Sequence, residues 1–490
     1  MINSTRPRKR RYRLIAGGLL ALYLLTGAYH VYKPLPDGLD VTGPYHQADH
    51  VTFLADSTWL DDDGRQHTER EIFDQALDMI GAARSLVVAD FFLLNRFAGE
   101  VDDGHRPLSV ELVDGLVQRR AQRPTLEAML ITDPFNTLYG GVRQPLFEQL
   151  EAAGVVVLET DLRALRDSNP AWSAAWRICC QWFRNSSANG WLPNPVGGPA
   201  VGLRTYLAAL NFKANHRKTL LTDGPGGWRG LVTSANPHDA SSRHDNVAVV
   251  FNGLAVRDLL ETELAVAAFS GGAPLASEHA ASLAAGAGPA AGGARTAEVR
   301  ILTESRIRAA ALAMIDEAGP GDRLDLLMFY LSHRGVVAAL LEARDRGVEL
   351  RVLLDPNRDA FGREKGGIPN RQVAMELQRA GIEVRWCNTD GEQCHGKMLL
   401  RRDRDGRALL LAGSANFTRR NLDNFNLETN VQVRAGAAAP VMAAAGAYFD
   451  TRWHNEPGRI HSLPYNAFAD HSRWRYWRYR FMEMSGLSSF

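Results

Sequence analysis

The chain has 490 residues, 45% apolar and 23% charged, a balance that suits one large folded core or two ordinary ones and excludes a disordered or fibrous chain. Net charge is +1, but residues 1–13 hold six basic residues (Arg6, Arg8, Lys9, Arg10, Arg11, Arg13) and no acid, so removing those six leaves −5 for the body. A mildly acidic body argues against a protein that tracks nucleic-acid phosphates.

The basic cluster runs into RLIAGGLLALYLLTGAYHVY, uncharged from Leu14 to Tyr32 when His30 is neutral. As a helix this stretch spans about 28 Å, close to the roughly 30 Å of a bilayer core. Basic residues before it and Asp37 and Asp40 after it orient the N-terminus to the cytoplasm. That predicts a single-pass protein of the inner membrane with its body periplasmic or extracellular. A signal peptide cut near Ala28 is the rival reading. The expected organisation is a basic tail and anchor over 1–33, a linker over 34–50, a first unit over 51–269, an Ala/Gly-rich linker over 270–297, a second unit over 298–450 and an aromatic, Arg-rich tail over 451–490.

The two units repeat each other. ARSLVVADFFLLNR (83–96) reads like GDRLDLLMFYLSHRG (321–335), each a buried strand leading into a loop, with helical spacing before and after. LEAMLITDP (126–134) matches VELRVLLDP (348–356), and FEQLEAAGVVVLETD (147–161) matches AMELQRAGIEVRWCNTD (374–390). Strands alternating with helices predict a sheet covered by helices in each half. Only the first unit carries an extra segment, 162–212. Its stretch after Asn169-Pro170 starts like a helix and places Trp172, Trp176, Cys179, Cys180 and Phe183 largely on one face. This is either a core-packing helix or a membrane-contacting flap. In the tail, Trp474, Trp477 and Phe481 recur at i, i+3 and i+7 among arginines, which fits a headgroup-layer helix or a strap over the body. Cys179, Cys180, Cys387 and Cys394 allow disulfides without assigning them, and Cys387, Cys394 and His395 have no standard zinc spacing.

The chemistry sits in a stretch that occurs twice. NHRKTLLTDGPGGWRGLVTSANPHD (215–239) parallels CHGKMLLRRDRDGRALLLAGSANFT (394–418). His216 and Lys218 correspond to His395 and Lys397, and Ser234 and Asn236 to Ser414 and Asn416; the serine follows its histidine by eighteen residues in one copy and nineteen in the other. Residues i and i+2 of a strand share a face, so each histidine neighbours its lysine. Asp223-Gly224 and Asp405-Gly406 stand at expected hairpin turns, and the returning strand brings Ser-x-Asn beside the histidine. Asp245 and Glu428 follow their histidines at distances that let each reach the other ring nitrogen of the histidine in its own half. Two such sets facing each other can split a displacement at phosphorus. One imidazole attacks, the other protonates the departing alcohol, lysines and asparagines hold the oxygen charge, and the carboxylates fix the imidazole tautomers. This chemistry calls for no metal and no cofactor.

The pattern H-x-K-x4-D followed by a strand ending in Ser-x-Asn, present twice, resembles the phospholipase D superfamily, and among its branches the cardiolipin synthase-like and phospholipase D-like bacterial membrane enzymes. The resemblance covers most of residues 50–450. It implies an α/β fold of two homologous α-β-α sandwich halves related by a pseudo-two-fold axis, preceded by one N-terminal transmembrane helix, with the active site between the halves. It further implies His216 as nucleophile and His395 as acid/base, with Asp223 completing the first motif. The activity implied is phospholipid phosphodiester hydrolysis or transphosphatidylation, with phospholipid as substrate and the membrane as partner. Its rivals are a nuclease of the same superfamily and a non-catalytic lipid-binding relative. The second copy departs from the pattern: Arg402 stands where the aspartate belongs, and Asp403 comes one residue late, where a strand side chain faces the other way unless a bulge intervenes.

Overall fold

The computed structural model describes residues 6–97, 105–188, 190–272, 297–360, 363–364, 366–488 and 490. Most of the expected 270–297 linker lies outside the described residues. In chain order the strands are β1 (His46–Ala48), β2 (Val51–Leu60), β3 (Gln66–Glu69), β4 (Leu86–Phe91), β5 (Glu127–Thr132), β6 (Val156–Glu159), β7 (Lys218–Gly224), β8 (Gly227–Thr233) and β9 (Asn246–Asn252). There follow β10 (Ala297–Thr303), β11 (Arg323–Met328), β12 (Glu349–Leu354), the short β13 (Asp359–Ala360) and β14 (Arg363–Glu364), then β15 (Glu383–Cys387), β16 (Lys397–Arg402), β17 (Arg407–Gly413), β18 (Thr429–Gly436) and β19 (Ser462–Pro464).

β13 and β14 pair with each other, and the other strands build two large mixed sheets with the same internal order. The first runs β3-β2-β9-β8-β7-β4-β5-β6 and the second β1-β10-β18-β17-β16-β11-β12-β15-β19. Without the edge additions β3, β1 and β19, the seven remaining positions correspond one to one. In each half a parallel trio (β4-β5-β6, β11-β12-β15) meets an antiparallel set. The central strands are buried along nearly their whole length, as VVADF and LDLLM require when both sheet faces are covered. One apolar cluster lies on each outer, helix-covered face. A third joins the two halves, with Val88, Val232 and Val249 of one packed with Val299, Leu410 and Val433 of the other. The protein is thus α/β with two equivalent sheets back to back over a shared core.

Two details depart from the sequence reading. The first hairpin turns at Pro225-Gly226, and Asp223-Gly224 still belongs to β7. β1, from the 34–50 segment, pairs with β10 of the second sheet, so the N-terminal connection crosses to the other half.

The N-terminal helix, Arg6–Tyr32, contains a stretch long and apolar enough to cross a bilayer, Lys9–Tyr32, and almost none of it is covered by protein. The segment 162–212 carries a helix at Pro170–Cys179 in which Trp176 is buried. The C-terminal helix, Arg473–Ser485, is held to the second half by the buried Tyr479, whose hydroxyl donates to the Ser332 carbonyl at 3.0 Å. Disulfides join Cys179 to Cys180 and Cys387 to Cys394.

Candidate active site

The two His-x-Lys strands begin at equivalent points and are stitched across the pseudo-symmetry axis. The His216 amide donates to the Leu427 carbonyl at 2.9 Å, and the His395 amide donates to the Asp245 carbonyl at 2.8 Å. Each histidine therefore hangs from a short parallel bridge to the opposite half (Asn215 with Leu427, Cys394 with Asp245). That crossing brings both imidazoles into one groove of about 370 Å³, which Asn236, Asn416 and His244 also line.

Around each ring the surroundings repeat. Lys218 and Lys397 fold back so that each ammonium donates to the carbonyl of its own histidine at 2.7 Å. Each also lies over a phenylalanine ring, Phe92 at 5.2 Å and Phe329 at 5.4 Å. The same two rings stand 4.9 Å from the imidazoles of His216 and His395. These phenylalanines occupy one position of the repeat, the residue just after β4 and β11.

The orienting groups break the symmetry. His216 Nδ1 lies 2.9 and 3.0 Å from the two oxygens of Glu428, so the carboxylate comes from the other half. Glu428 also accepts from Ser414 Oγ and Asn421 Nδ2. His395 Nδ1 meets the Asn246 side-chain oxygen at 3.1 Å. The Asn246 amide nitrogen donates to the His244 carbonyl and Ser234 Oγ donates to the Asn246 oxygen, which fixes the amide with its oxygen toward the ring. Both partners are acceptors, so each Nδ1 carries a proton and each Nε2 is left to the groove.

The expected pairing of each acid with the histidine of its own half is thus corrected twice. Asp245 aims its carboxylate away, accepting the Thr58 amide and facing Arg452 at 3.6 Å. It is Asn246 that corresponds to Glu428. Ser234 and Ser414 donate their amides to the carbonyls of Val247 and Thr429, the residues that follow those two positions. Adjacent strand residues face opposite ways, so a one-residue difference in register decides which side chain sees the ring.

Asp223 is not brought to the site either. At the far end of β7 it accepts the amides of Arg84, Ser85 and Leu86 at 2.8–3.0 Å and so ties down the start of β4. Burial pushes its carboxyl up, but those donors outweigh it and hold it below the usual range. Arg402, paired with Arg323 one step beyond the Leu324–Arg401 pair as Asp223 follows the Val87–Thr222 pair, instead reaches Asp325 at 2.5 Å and Asp450 at 3.5 Å. Asp322 supplies the strand-end capping there, accepting from Gly319 and Arg404. Of the residues expected from sequence, the structure gathers His216, Lys218, Ser234, Asn236 and Asn416 with His395, Lys397, Ser414 and Glu428.

The electrostatics describe a site short of negative charge. Burial pulls His216 down to about 4 against the upward pull of Glu428, and pulls His395 well below its ordinary value with Lys397 acting in the same direction. Burial brings Lys218 to about 7 and Lys397 well below the usual ammonium range, where Lys218 pushes it further. Two buried lysines and two buried histidines have been gathered here, with Glu428 and Asp133 as nearby buried carboxylates, and an anion entering the groove favours their cationic forms. The buried Asn416 side-chain oxygen has no partner among the described residues. The groove wall is aromatic: Phe135, Tyr139, Phe212, Tyr330 and Phe490 line it, with Arg420 stacked on Phe212 at 5.2 Å. None of this wall stood out in the sequence.

Residues 311–453 match the family model described as cardiolipin synthase, PLD-like domain. That match covers most of the second half, which is similar to a phospholipase D-like domain. Among solved structures, a phosphatidylserine synthase from Haemophilus influenzae Rd KW20 is similar over 91% of this chain and 96% of its own, with 10% identity and a TM-score of 0.54. That likeness is one of fold. Nuc from Salmonella typhimurium, a phospholipase D family member, covers 34% of this chain and 99% of its own at 19% identity, with a TM-score of 0.27. No curated protein matches the sequence. The matched residues include His395, Lys397, Asn416 and Glu428, and the other half repeats the strand order of the second.

Proposed function

We propose that the protein exchanges or hydrolyses the phosphodiester of a membrane phospholipid through a phosphohistidine on His216. Nε2 of His216 attacks phosphorus, and the bond from phosphorus to the headgroup oxygen breaks. His395, which takes up a second proton at Nε2 when the phosphate anion offsets the burial that opposes it, gives that proton to the departing oxygen. Water or a lipid hydroxyl then attacks phosphorus as the P–N bond breaks, and returns a proton to His395. Water gives phosphatidic acid; the hydroxyl of a second lipid gives a transferred phosphatidyl group. Lys218, Lys397, Asn236 and Asn416 hold the non-bridging oxygens, whose negative charge restores the protonated state that burial costs the lysines.

The observation that carries this reading is the pair of imidazoles in one groove, each with Nδ1 tied to an acceptor from the opposite half. Their unlike partners support the division of roles. A carboxylate stabilises the positive charge that develops on an attacking ring, whereas an amide leaves His395 readier to release its proton. The aromatic wall and the apolar N-terminal helix support a lipid substrate and a membrane-anchored enzyme with its body on the far side from the basic tail.

The test is to incubate the full-length protein in nanodiscs with phosphatidylglycerol, phosphatidylcholine and single-stranded DNA in turn. Products are identified by mass spectrometry, and His216 is examined for an acid-labile phosphoryl adduct. Lipid turnover with the adduct, both lost in His216→Ala, is the expected result. Turnover of DNA alone, or of nothing, overturns the proposal.

A further inference from the structure

The N-terminal helix does not leave the body at its end but runs alongside it. Tyr23 donates its hydroxyl to the Ala171 carbonyl at 2.5 Å, and at Gly27 a Cβ would stand 3.5 Å from the Ala174 side chain. The Asp167 amide donates to the His30 carbonyl at 2.9 Å, and Lys33 donates to the Arg163 carbonyl at 3.0 Å. Contact with segment 162–212 therefore extends from Tyr23 to Lys33, about 15 Å at about 1.5 Å per residue, half the thickness of a roughly 30 Å bilayer core. If this helix spans a bilayer, the segment lies at acyl-chain depth.

Its surface suits that depth. Trp182 and Trp191 are 72% and 70% exposed, with Phe183 exposed beside them. The C-terminal helix continues the same belt. Tyr479 and Glu483 face the body, whereas Trp474, Trp477 and Phe481 face outward, the first two 76% and 63% exposed. Arg473, Arg475, Arg478 and Arg480 lie among them, a composition that fits anionic headgroups. The two surfaces join: Gly486, at φ +73°, ends this helix so close to Ser168 that a Cβ would overlap its carbonyl oxygen. Ser168 adjoins Asp167, which holds the N-terminal helix. Segment 162–212 also reaches the groove through Phe212, and Phe490, beyond the C-terminal helix, lines it as well. A second cavity of about 470 Å³, lined by Trp176, Phe183 and Arg204, shares Tyr139 and Lys213 with it.

We propose that segment 162–212 and the C-terminal helix form a collar seated in the near leaflet of the bilayer crossed by the N-terminal helix, so that phospholipid passes from the leaflet into the groove without crossing water. The seating rests on that helix spanning the membrane; the delivery of substrate rests also on the function proposed above.

The seating is tested without catalysis. The full-length chain is placed in nanodiscs of phosphatidylglycerol and phosphatidylcholine, with plain or dibrominated acyl chains, and tryptophan quenching is measured. Replacing Trp182, Trp191, Trp474 and Trp477 by Phe is expected to remove at least half of the bromine-quenchable emission; an unchanged quenchable fraction overturns the collar. Delivery is tested by the pair Trp182→Glu and Trp191→Glu. Turnover of vesicle phosphatidylglycerol should fall at least tenfold, while turnover of monomeric dihexanoyl phosphatidylglycerol stays at the wild-type rate. An equal effect on both substrates overturns delivery. A wild-type protein inert toward both overturns the proposed function, and delivery with it, and leaves the quenching result to decide the seating.

Discussion

Glu428→Gln is the sharpest probe of the division of labour between the two histidines. The carboxylate contacts His216 Nδ1 at 2.9 Å and is fully buried. With charge centres about 4 Å apart and an effective dielectric of about 20, its attraction for a positively charged ring is about 4 kcal/mol. A glutamine keeps the shape and removes that charge. Its amide can also turn a donor toward Nδ1, which moves the ring proton to Nε2 and occupies the attacking lone pair. The ring becomes cationic only as the P–N bond forms, so the loss falls on the transition state. At about 1.4 kcal/mol per tenfold, the expected fall in the rate of phosphohistidine formation is on the order of 10³. The assay is a single turnover with enzyme in excess over labelled phospholipid, following headgroup release, with the melting temperature recorded because Ser414 and Asn421 share the same carboxylate. A rate within tenfold of wild type, in a variant that melts normally, refutes the assignment of His216 as the carboxylate-supported nucleophile. The companion change, Asn246→Asp, gives His395 a carboxylate and raises its pKa. The group that must be protonated to release the headgroup then stays so to higher pH, and the alkaline limb of the rate profile should move upward.

His395→Ala should abolish turnover of natural phospholipid yet retain headgroup release from a phosphatidyl p-nitrophenol, whose leaving group needs no proton; equal losses on the two substrates would remove the acid role. Asp223→Asn should lower stability by about 1–3 kcal/mol through weakened bonds to three amides, leaving turnover per folded molecule unchanged. Its carboxyl is held below the ordinary value, so the wild-type contribution is present above the unfolded pKa of about 3.9 and lost as pH falls through the folded one. The gap in melting temperature between wild type and variant should be constant from about pH 5 to 8 and close below about pH 4. Arg402→Asp, which restores the residue of the first copy, should destabilise by about 3 kcal/mol or more, because it removes a cation from between Asp325 and Asp450 and adds an acid to them; an active and more stable variant would show that Arg402 is not a structural cation.

The repeat was legible because its signals survive any packing of the halves. His-x-Lys before a hairpin and Ser-x-Asn after it are local in sequence, and strand alternation alone puts their side chains on the inner face. The partner of each ring was not legible, because it depends on register across the axis between halves. Matching the two copies by their nearest acids set Asp245 against Glu428, whereas the ladder sets Asn246 there. Valine at 247 and threonine at 429 accept from the two Ser-x-Asn serines and mark the true alignment. Phe92 and Phe329 were within reach: each sits two residues before a leucine, Leu94 and Leu331, in stretches already recognisable as copies, and a phenylalanine at one position of a duplicated strand end points to a shared contact. The rest of the aromatic wall was not, since Tyr139, Phe212 and Phe490 come from a loop, the end of a segment unique to one half, and the last residue of the chain.

The departures from symmetry have one physical logic. Two equivalent halves present two equivalent imidazoles, but the displacement at phosphorus proposed above needs unlike ones, a ring that tolerates positive charge while bonding and a ring that gives its proton up. Nothing in the shared scaffold distinguishes them, since the lysines, phenylalanines and backbone bridges match to within a few tenths of an ångström. The difference at Nδ1 comes from one position, glutamate at the head of β18 and asparagine at the head of β9, and each acts on the histidine of the opposite half. The proposed roles are therefore set only when the halves close on each other. An isolated half lacks both its second histidine and the group that orients its first.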